Sequence, residues 1–373
     1  MIYFDNAATS KYKPFRVRHA ALQALKKSAN PGRGSHDDAI KAATIVHETR
    51  NDLLRFVGAR ETNAVFTKNC TEALNLAILG TVKPGGHVIT TTLEHNSVLR
   101  PLYMLKEAGL ITLTIIRPRN NEINVSDIEK AIHERSYLVA ITTMSNVTGY
   151  APPLERIGAL CKDRGLLFLA DGAQGLGHYP INMDAMHIDI LCGAGHKGLH
   201  GMQGTGFLVF NKTVFINPIM YGGTGTESDR MTQPLLPPES LESGTLNYPG
   251  IAALRQGIIW TEKHKETNNK KSKAISEYLH DEISKLDELT LFSIKGSPIV
   301  TFSSSQIDTQ LIADRLNEDY KVAVRYGLHC APLALKQKDV CPTIRISIGV
   351  NNTMHQARYL ISALRSILSK KAK

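Results

Sequence analysis

Apolar runs of strand length alternate with segments of helical periodicity through the first two thirds of the chain. Segments 98–108 and 154–164 place apolar residues at intervals of three and four, which predicts crossover helices. Buried parallel strands read as continuous apolar runs, so the shorter runs predict a mostly parallel sheet covered by helices on both faces. The predicted strands of this α/β fold are 64–67, 87–91, 138–142, 166–170, 188–192 and 206–210.

The regular pattern stops between residues 211 and 250, where Gly, Pro, Ser and Thr are frequent. A long irregular stretch inside a folded protein is more often functional than idle, and we expect a domain boundary there. Beyond it the pattern predicts a polar helix from about residue 251, strands at 299–302 and 344–348, and a final helix. These elements are typical of a smaller α+β domain.

The composition is that of a large folded protein with more than one domain. Its 373 residues are 42% hydrophobic, and no apolar run approaches the roughly 20 residues that span a bilayer. The first residues, MIYFDNAATS, lack a basic segment followed by an apolar stretch, so we expect a cytosolic protein with no membrane partner. The scattered cysteines lack CxxC spacing, which argues against a disulfide framework or a zinc site. They are Cys70, Cys161, Cys192, Cys330 and Cys341.

The positive charge is concentrated near the start of the chain. The formal charge is +10, and residues 11–60 hold eleven Lys and Arg against four Asp and Glu, a net +7. The lysine-rich segments 263–273 and 370–373 lack the interleaved aromatic residues of single-strand nucleic-acid binders. We therefore expect a solvated basic face that also suits anionic ligands, rather than a nucleic-acid partner.

A glycine-rich stretch, GAGHKGLHGMQGTG at 193–206, directly follows the predicted strand 188–192. An open parallel sheet presents its ligand-binding edge at such a point, and glycine lets the main chain approach a ligand closely. Within the stretch, His196 and Lys197 form a cation pair suited to a phosphate and an aldehyde. The alternative is a glycine-rich loop whose lysine faces solvent.

A carboxylate upstream supports a cofactor. The run LLFLADGAQ predicts a buried strand that delivers Asp171 at its carboxyl end, 26 positions before Lys197, with Gln174 close behind. Pyridoxal 5′-phosphate (PLP) acts as an electron sink when a buried carboxylate keeps its ring nitrogen protonated and a lysine amine forms a Schiff base. Gln174 can hydrogen-bond the ring hydroxyl. The alternative for Asp171 is a helix N-cap or strand-end turn.

The segment VFTKNCTEALNLAIL reads as a strand, a short loop and a helix. Asn69 and Glu72 have the spacing of a capping box, and Thr71 adds a hydroxyl in the first turn. Free amides at a helix start favour anions, so a cofactor phosphate can lie there, although most helices begin this way without a ligand. His95 follows another strand and can stack on an aromatic cofactor; a histidine in such a loop is otherwise a structural hydrogen-bonding group.

Ten motifs in order resemble the class V family of fold-type I PLP enzymes, and within it the cysteine desulfurases and selenocysteine lyases. The resemblance spans nearly the whole chain. It implies a large PLP-binding domain at 15–245 and a small domain at 1–14 and 246–373 that carries the cysteine loop. The motifs are FDNAATS (4–10), NPGRGSH (30–36), TEALN (71–75), EHNS (94–97), SNVTG (145–149), DGAQ (171–174), GHK (195–197), ESGTLN (242–247), RYGLHCAP (325–332) and TIRIS (343–347).

The resemblance implies a role for each residue around the cofactor ring. Lys197 would be the Schiff-base lysine, and Asp171 the partner of the pyridinium. Gln174 would bind the ring hydroxyl, and Asn146 would approach both that hydroxyl and the substrate. His95 would stack on the ring and handle protons.

The resemblance also implies groups for the phosphate and the substrate. Thr71 and His196 would bind the phosphate, with Thr245 reaching in from the second subunit of a homodimer. Arg345 would clamp the substrate carboxylate, a task that suits a bidentate guanidinium, although an arginine beside a strand is usually a surface ion-pair former. Relatives usually carry a hydroxyl residue where this chain has Ala194, so one phosphate contact is missing.

Cys330 decides which reaction the resemblance implies. It lies in RYGLHCAP, a pattern similar to the SUF-like branch, and cationic Arg325 and His329 beside it would favour a thiolate. In the family mechanism this thiolate takes sulfur from L-cysteine as a persulfide, alanine leaves, and the sulfur passes to a protein acceptor. L-selenocysteine is a competing substrate.

Three alternatives to this reaction remain open. One is that Cys330 is an inert buried cysteine, the commoner state of that residue. Another is a class V aminotransferase or C–S β-lyase that does not use Cys330. The last is a non-catalytic scaffold with the PLP-enzyme fold.

Overall fold

The computed structural model describes residues 1–32, 34–119, 122–336 and 342–369. Cys341, Arg33 and the tail 370–373 lie outside these ranges. The strands are β1 (Ile2–Tyr3), β2 (Thr62–Thr67), β3 (Gly86–Thr91), β4 (Ile111–Ile116), β5 (Ser136–Thr142), β6 (Leu167–Asp171), β7 (Ile190–Ala194), β8 (Gly206–Asn211), β9 (Leu289–Leu291), β10 (Ile299–Ser304), β11 (Val322–Ala323), β12 (Arg325–Gly327) and β13 (Thr343–Ser347). The helices are α1 (Phe15–Lys26), α2 (Asp37–Phe56), α3 (Cys70–Gly80), α4 (Asn96–Glu107), α5 (Val125–Ala131), α6 (Leu154–Asp163), α7 (Tyr248–Ile283), α8 (Thr309–Glu318), α9 (Pro332–Lys336) and α10 (Met354–Ser369).

A seven-stranded sheet forms the centre of the large unit, in the order β2-β8-β7-β6-β5-β3-β4. Its strands are parallel except β8, which is antiparallel to both of its neighbours. Side chains of β5 alternate between two cores: Val139 and Ile141 face one, and Leu138 and Ala140 face the other. The prediction of a mostly parallel sheet covered on both faces is confirmed.

β4 is the strand of this sheet that the apolar pattern did not predict. It lies at the sheet edge, next to β3 alone. Only its terminal residues, Ile111 and Ile116, are buried, and the sequence ITLTII contains two threonines. An edge strand needs no continuous apolar run because solvent covers part of it.

The glycine-rich stretch begins inside a strand rather than after one. Gly193 and Ala194 are the last residues of β7, so the loop starts at Gly195. A Cβ atom on Gly193 would lie 2.1 Å from the Phe207 ring of β8, which is why a glycine is required within the strand. Gly204 has a φ of +76°, a backbone conformation that favours glycine.

A second sheet, β12-β13-β10-β9, is antiparallel and shares an apolar core with α8 and α10. The start of the chain joins this unit, because β1 pairs with β11 and Asp5 bridges to Ser347. The division into 15–245 and 1–14 plus 246–373 stays a prediction, and residues Tyr248, Ile251 and Leu254 of α7 pack in the core of the large unit.

The 36-residue helix α7 connects the two units. It packs on α1 and α2 and also on α10 and β10. It begins at Tyr248, close to the predicted start at residue 251, with Asn247 accepting a hydrogen bond from Gly250 N. None of the helices in the described ranges is long and apolar enough to cross a membrane.

Candidate active site

A pocket at the carboxyl ends of β5, β6 and β7 collects seven of the predicted site residues. Parallel strands bring their carboxyl ends to one edge, and helix starts face that edge, so residues distant in sequence converge there. Arg345 and Cys330 reach the same region from the second sheet and its adjoining loop, whereas Thr245 lies elsewhere. The seven pocket residues are Thr71, His95, Asn146, Asp171, Gln174, His196 and Lys197.

Asp171 is the last residue of β6, and its side chain is buried at 2% exposure. Its Oδ1 accepts hydrogen bonds from Ala173 N at 2.9 Å and from Cys70 Sγ at 3.5 Å. The carboxylate thus stabilises a strand-end turn, as the alternative interpretation predicts, and also lines the pocket. Two donors on Oδ1 leave Oδ2 as the oxygen available to a ligand.

Lys197 follows β7 and lines the same pocket as Asp171. Burial lowers the pKa of Lys197, while the Asp171 carboxylate partly opposes this effect. A larger fraction of the amine is therefore neutral at a given pH than in an exposed lysine, and the neutral amine is the nucleophilic form. Lys197 therefore lines a pocket, which differs from the alternative of a lysine that faces solvent.

The pKa of His196 argues against the cation pair expected with Lys197. Burial and the neighbouring charges of Lys197 and Lys13 lower its pKa to about 4. Its Nδ1 is buried and has no hydrogen-bond partner among the described residues. The neutral ring can offer a hydrogen bond to a bound anion through this nitrogen, rather than a positive charge.

The start of α3 has the predicted cap. Asn69 accepts a hydrogen bond from Glu72 N at 2.9 Å, and the Glu72 carboxylate accepts one from Lys68 N. Thr71 Oγ1 lies 2.8 Å from Ser97 Oγ. The remaining free amides of this turn face the pocket edge and can bind an anion.

His95 caps α4 and lies beside the pocket. Its Nδ1 accepts a hydrogen bond from Ser97 N at 3.1 Å, which fixes the orientation of the ring. Burial lowers the pKa of His95, and the nearby Asp171 carboxylate opposes this shift. Because Nδ1 accepts, the neutral imidazole carries its hydrogen on Nε2, and the ring suits stacking on a flat ligand.

Gln174 and Asn146 both hold neighbouring segments in place. Gln174 Nε2 donates to Ala7 O at 2.9 Å and so fixes the start of the chain against the pocket. Asn146 Nδ2 donates to His329 O at 2.6 Å. Asn146 therefore positions the cysteine loop as well as lining the pocket.

Cys330 is exposed at the tip of a loop that two hydrogen bonds anchor beside the pocket. Its carbonyl accepts from Asn96 N at 2.7 Å, and the preceding His329 carbonyl accepts from Asn146. His329 and Cys330 have φ values of +52° and +57°, a left-handed backbone that costs non-glycine residues about 1–3 kcal/mol each. The anchoring bonds hold this unfavourable turn, and Arg325 Nη2 lies 4.0 Å from the sulfur.

His329 does not supply the positive charge that the sequence suggested beside Cys330. Its ring is buried, its Nε2 lies 2.9 Å from Thr343 Oγ1, and burial lowers its pKa to about 3. Arg325 is thus the cation beside the sulfur. Two other thiols near the pocket, Cys70 and Cys192, are buried, and burial raises their pKa values well above the usual range. The raised pKa disfavours the thiolate, which is the nucleophilic form of cysteine.

Arg345 is a buried cation rather than a surface ion-pair former. On β13 it is 2% exposed, with Nη2 3.2 Å from Asp5 Oδ1 and Nη1 donating to Asn146 O at 3.1 Å. Its Nε has no partner among the described residues. A guanidinium with its charge balanced and a donor free can accept a further carboxylate.

Thr245 lies outside the pocket in this chain. It is exposed and lines a different cleft, with Thr67 and Lys68. Its neighbour Glu242 is held by a bidentate pair with Arg50, both contacts at 2.6 Å. The structure thus does not bring Thr245 to the other site residues within one subunit.

The geometry agrees with a comparison of the whole chain with known families. The family model described as aminotransferase class-V matches residues 2–360. The chain belongs to the class-V aminotransferase family. Cysteine desulfurases of this family are PLP enzymes, and the central sheet confirms the expected PLP-dependent transferase fold type I.

Curated class-V relatives and a solved structure resemble the chain over nearly its full length. A probable cysteine desulfurase from Methanothermobacter thermautotrophicus is 31% identical over 98% of this chain and 94% of its own. One from Pyrococcus abyssi is 32% identical over 99% and 94%. The apo structure of a cysteine desulfurase from Thermococcus onnurineus NA1 has a TM-score of 0.91 at 31% identity, covering 99% of this chain and 95% of that one.

The pocket fits the cofactor that class-V cysteine desulfurases use. The free Asp171 Oδ2 and the Lys197 amine suit a pyridinium and an aldehyde. The unpartnered His196 Nδ1 and the amides at the start of α3 suit a phosphate. Ala194, which lines the pocket with a methyl group, adds no hydrogen bond to that phosphate.

Two positioning residues of this class-V site were missed at the sequence level. Asn96 holds the Cys330 carbonyl, and Asp5 balances Arg345. Both lie in motifs of the family, EHNS and FDNAATS, and this position was the indication of a role that the sequence offered. Their partners are far away in sequence, which is why spacing alone gave neither contact.

Proposed function

We propose that the protein is a PLP-dependent cysteine desulfurase that converts L-cysteine to L-alanine and keeps the sulfur on Cys330 as a persulfide. The observation that carries this proposal is the position of Cys330. Its exposed thiol lies on a loop fixed by Asn96 and Asn146 at the edge of the Lys197 pocket. An inert buried cysteine would need no such anchoring.

Five residues would hold the ring of the cofactor. Lys197 would bind its aldehyde, Asp171 its ring nitrogen and Gln174 its hydroxyl, with Asn146 near that hydroxyl and His95 stacked on the ring. When bound, PLP withdraws electrons from the substrate α-carbon and so weakens the bond from the neighbouring carbon to sulfur.

The phosphate would be held by Thr71, His196 and the amides that begin α3, with Thr245 reaching in from a second subunit. The buried Nδ1 of His196, which has no hydrogen-bond partner among the described residues, supports these assignments.

Arg345 would bind the carboxylate of L-cysteine and so direct the substrate thiol towards Cys330. The Cys330 sulfur attacks the substrate sulfur, a new S–S bond forms, and the C–S bond breaks with its electron pair on the carbon fragment. That carbon takes up a proton and leaves as alanine. Arg325, 4.0 Å from Cys330, can hydrogen-bond the attacking thiolate.

The reaction is tested by incubating the purified, PLP-saturated protein with L-cysteine and a thiol reductant. We expect alanine and sulfide to form in equal amounts. L-selenocysteine in a parallel reaction measures the preference between sulfur and selenium. If neither substrate gives alanine, the protein is not a desulfurase or a selenocysteine lyase.

Replacing Arg345 with lysine is expected to raise the KM for L-cysteine by about 10-fold or more, equivalent to about 1.4 kcal/mol. Lysine keeps the charge that balances Asp5 but loses the planar fork that binds a carboxylate through two hydrogen bonds. Steady-state kinetics should show a smaller change in kcat. A variant whose KM equals that of the wild type would exclude Arg345 as the carboxylate clamp.

The rate of PLP attachment to the apo protein is expected to rise with pH and level off below pH 10.5, the usual lysine value. Only a neutral Lys197 amine attacks an aldehyde, and burial lowers its pKa, so the neutral form dominates from a lower pH. Stopped-flow absorbance across a pH series measures the midpoint. A midpoint at or above that of a free lysine derivative contradicts the burial of the amine.

We further propose a homodimer. The stretch between Asn211 and Tyr248 exposes large apolar side chains, and Thr245 lies among the same residues, ready to enter a partner's pocket. An exposed apolar patch of this kind marks an interaction surface. The exposed residues are Phe215, Ile219, Met220, Tyr221, Met231, Leu235 and Leu236.

Changing Leu235 and Leu236 together to glutamate is expected to shift the dimer towards monomer, because two charges would enter an apolar interface. Sedimentation velocity measures the distribution. A matched pair of glutamates at Lys270 and Lys271, exposed on α7, serves as the control and should leave the dimer intact. A wild-type protein that is monomeric at micromolar concentration excludes the dimer.

The persulfide must pass to another molecule, since Cys330 is regenerated only when the sulfur leaves. The exposure of Cys330 at a loop tip supports a protein acceptor that approaches from solvent. The cytosolic location and the SUF-like branch of the family stay predictions.

A further inference from the structure

A second cleft, of about 490 Å³, is lined by residues that do not line the Lys197 pocket. Three segments form its walls: the first 18 residues, the loop at His200 and the residues that lead into α10. We call it the N-terminal cleft. The lining residues used below are Lys11, Tyr12, Lys13, Arg18, His200 and Gln356.

The N-terminal cleft is positively charged without a compensating carboxylate. Lys11, Lys13 and Arg18 line it, and no Asp or Glu is among its lining residues within the described ranges. None of these three cations forms an ion pair with a described residue. Lys11 instead lies over the ring of Tyr3, 5.4 Å from its centroid.

Lys13 is the most enclosed of the three cations. Its Nζ donates to Ser10 Oγ at 2.8 Å and to His196 O at 3.0 Å, both uncharged acceptors. Burial lowers the pKa of Lys13 to about 8, and no neighbouring carboxylate opposes this effect. A half-buried ammonium without a counter-charge is costly, and an anion placed beside it would offset that cost.

A second basic cleft of the protein, unlike the N-terminal cleft, has a carboxylate among its lining residues. The cleft between α1, α2 and α7 contains Lys27, Lys41 and Arg255, but Asp38 lines it too. Arg255 pairs with Glu48 and with Asp52, the latter at 2.8 Å. The N-terminal cleft therefore differs from this cleft in having no carboxylate among its described lining residues.

We propose that the N-terminal cleft binds a small phosphate-bearing anion, such as a pyrophosphate or the diphosphate of a nucleotide. Separate lysine charges and an arginine fork match an anion with several phosphate oxygens, and Gln356 adds an amide on the opposite wall. The site is concave and enclosed by three segments, a shape that suits a small molecule rather than a flat protein surface. It is distinct from the phosphate site at the start of α3.

Trp260, the single tryptophan of the chain, reports on this cleft. Its ring centroid lies 4.8 Å from that of His200 and 5.9 Å from that of Tyr12, and both of these residues line the cleft. An anion that moves either ring changes the surroundings of the indole. Intrinsic fluorescence is thus a local signal that does not depend on turnover.

The test titrates inorganic pyrophosphate, and separately ADP, into the full-length protein at constant ionic strength. The protein is first saturated with PLP so that the cofactor phosphate site is filled. Trp260 fluorescence and isothermal titration calorimetry are read together, so that binding is detected even if the indole is unaffected. We expect saturable binding of one pyrophosphate per chain; equal affinity for ADP would identify the phosphates as the recognised group, and tighter binding would add a contribution from the nucleoside.

Two charge-matched variants decide whether the cleft is responsible. Lys11→Gln with Arg18→Gln is expected to weaken pyrophosphate binding at least 10-fold. Lys26→Gln with Lys27→Gln removes the same charge outside the cleft and should bind like the wild type. Circular dichroism checks that both variants fold.

Three results would overturn the proposal. The first is a wild-type response that sodium chloride reproduces or that does not saturate. The second is equal weakening of binding in the two double variants. The third is tight binding of an acidic peptide without binding of pyrophosphate, which would make the cleft a protein-docking surface.

Discussion

Replacing Cys330 with alanine is expected to reduce sulfide release from L-cysteine by more than about 10³-fold, or about 4 kcal/mol of transition-state stabilisation. The reason is the loss of the sulfur nucleophile, for which the nearby thiols are no substitute. Cys70 and Cys192 are buried, and burial raises their pKa values well above the usual range, which disfavours the nucleophilic thiolate. The cofactor absorbance should be unchanged, because Cys330 lies on its own loop beside the pocket.

Cys161→Ala is the matched control for this experiment. Cys161 is buried on α6, and burial raises its pKa to about 12, so its removal leaves the reacting groups intact. Undiminished sulfide release by Cys330→Ala, with the control also active, would favour a class V C–S β-lyase that does not use Cys330. Transfer of the amino group of L-cysteine to a keto acid without sulfide release would favour an aminotransferase.

Replacing Lys197 with alanine is expected to lower kcat for alanine formation by about 10²–10⁴-fold, the usual contribution of a general acid–base group. Lys197 is also the amine that would hold the aldehyde, so the variant should lose covalent attachment of PLP. Borohydride treatment followed by mass spectrometry measures that attachment. The wild type should carry the label on the peptide with Lys197, and the variant should carry none.

Lys212→Ala provides a matched control at the surface. Lys212 forms an exposed ion pair with Glu61 at 2.8 Å, and such pairs contribute little to stability. The control should keep both its activity and its PLP label. A protein that binds no PLP in either form would revive the non-catalytic scaffold.

The central sheet could be predicted because its inner strands are buried on both faces. Leu138 to Ile141 of β5 alternate between two apolar cores, so every position of the run is apolar. The same reasoning fails for β4, whose edge position leaves its middle residues partly exposed. Whether a strand lies at the edge of a sheet depends on the tertiary structure, and the periodicity of the sequence does not indicate it.

The protonation of the site could not be predicted from residue types alone. His196 and His329 follow a glycine and a leucine in open-looking loops, and the sequence interpretation gave both a positive charge. The structure buries both rings, which lowers their pKa values to about 4 and about 3. Burial depends on the surrounding fold, so the pKa values of these histidines do not follow from the sequence alone.

The Cys330 loop shows a similar division between chemistry and geometry. The motif RYGLHCAP gave the nucleophile and its neighbouring Arg325, and the structure supports that pairing at 4.0 Å. The anchoring by Asn96 and Asn146 depends on α4 and the turn after β5 meeting the second sheet. The local sequence around Asn96, Asn146 and Cys330 does not indicate that these elements lie next to one another.

The most direct test of the account locates the sulfur atom after a single turnover. The PLP-loaded protein is mixed with L-cysteine without reductant or acceptor, blocked with an alkylating reagent, digested and analysed by mass spectrometry. We expect one additional sulfur on the peptide that contains Cys330, matched by one alanine per modified chain. Alanine formed while Cys330 stays free of added sulfur would contradict it.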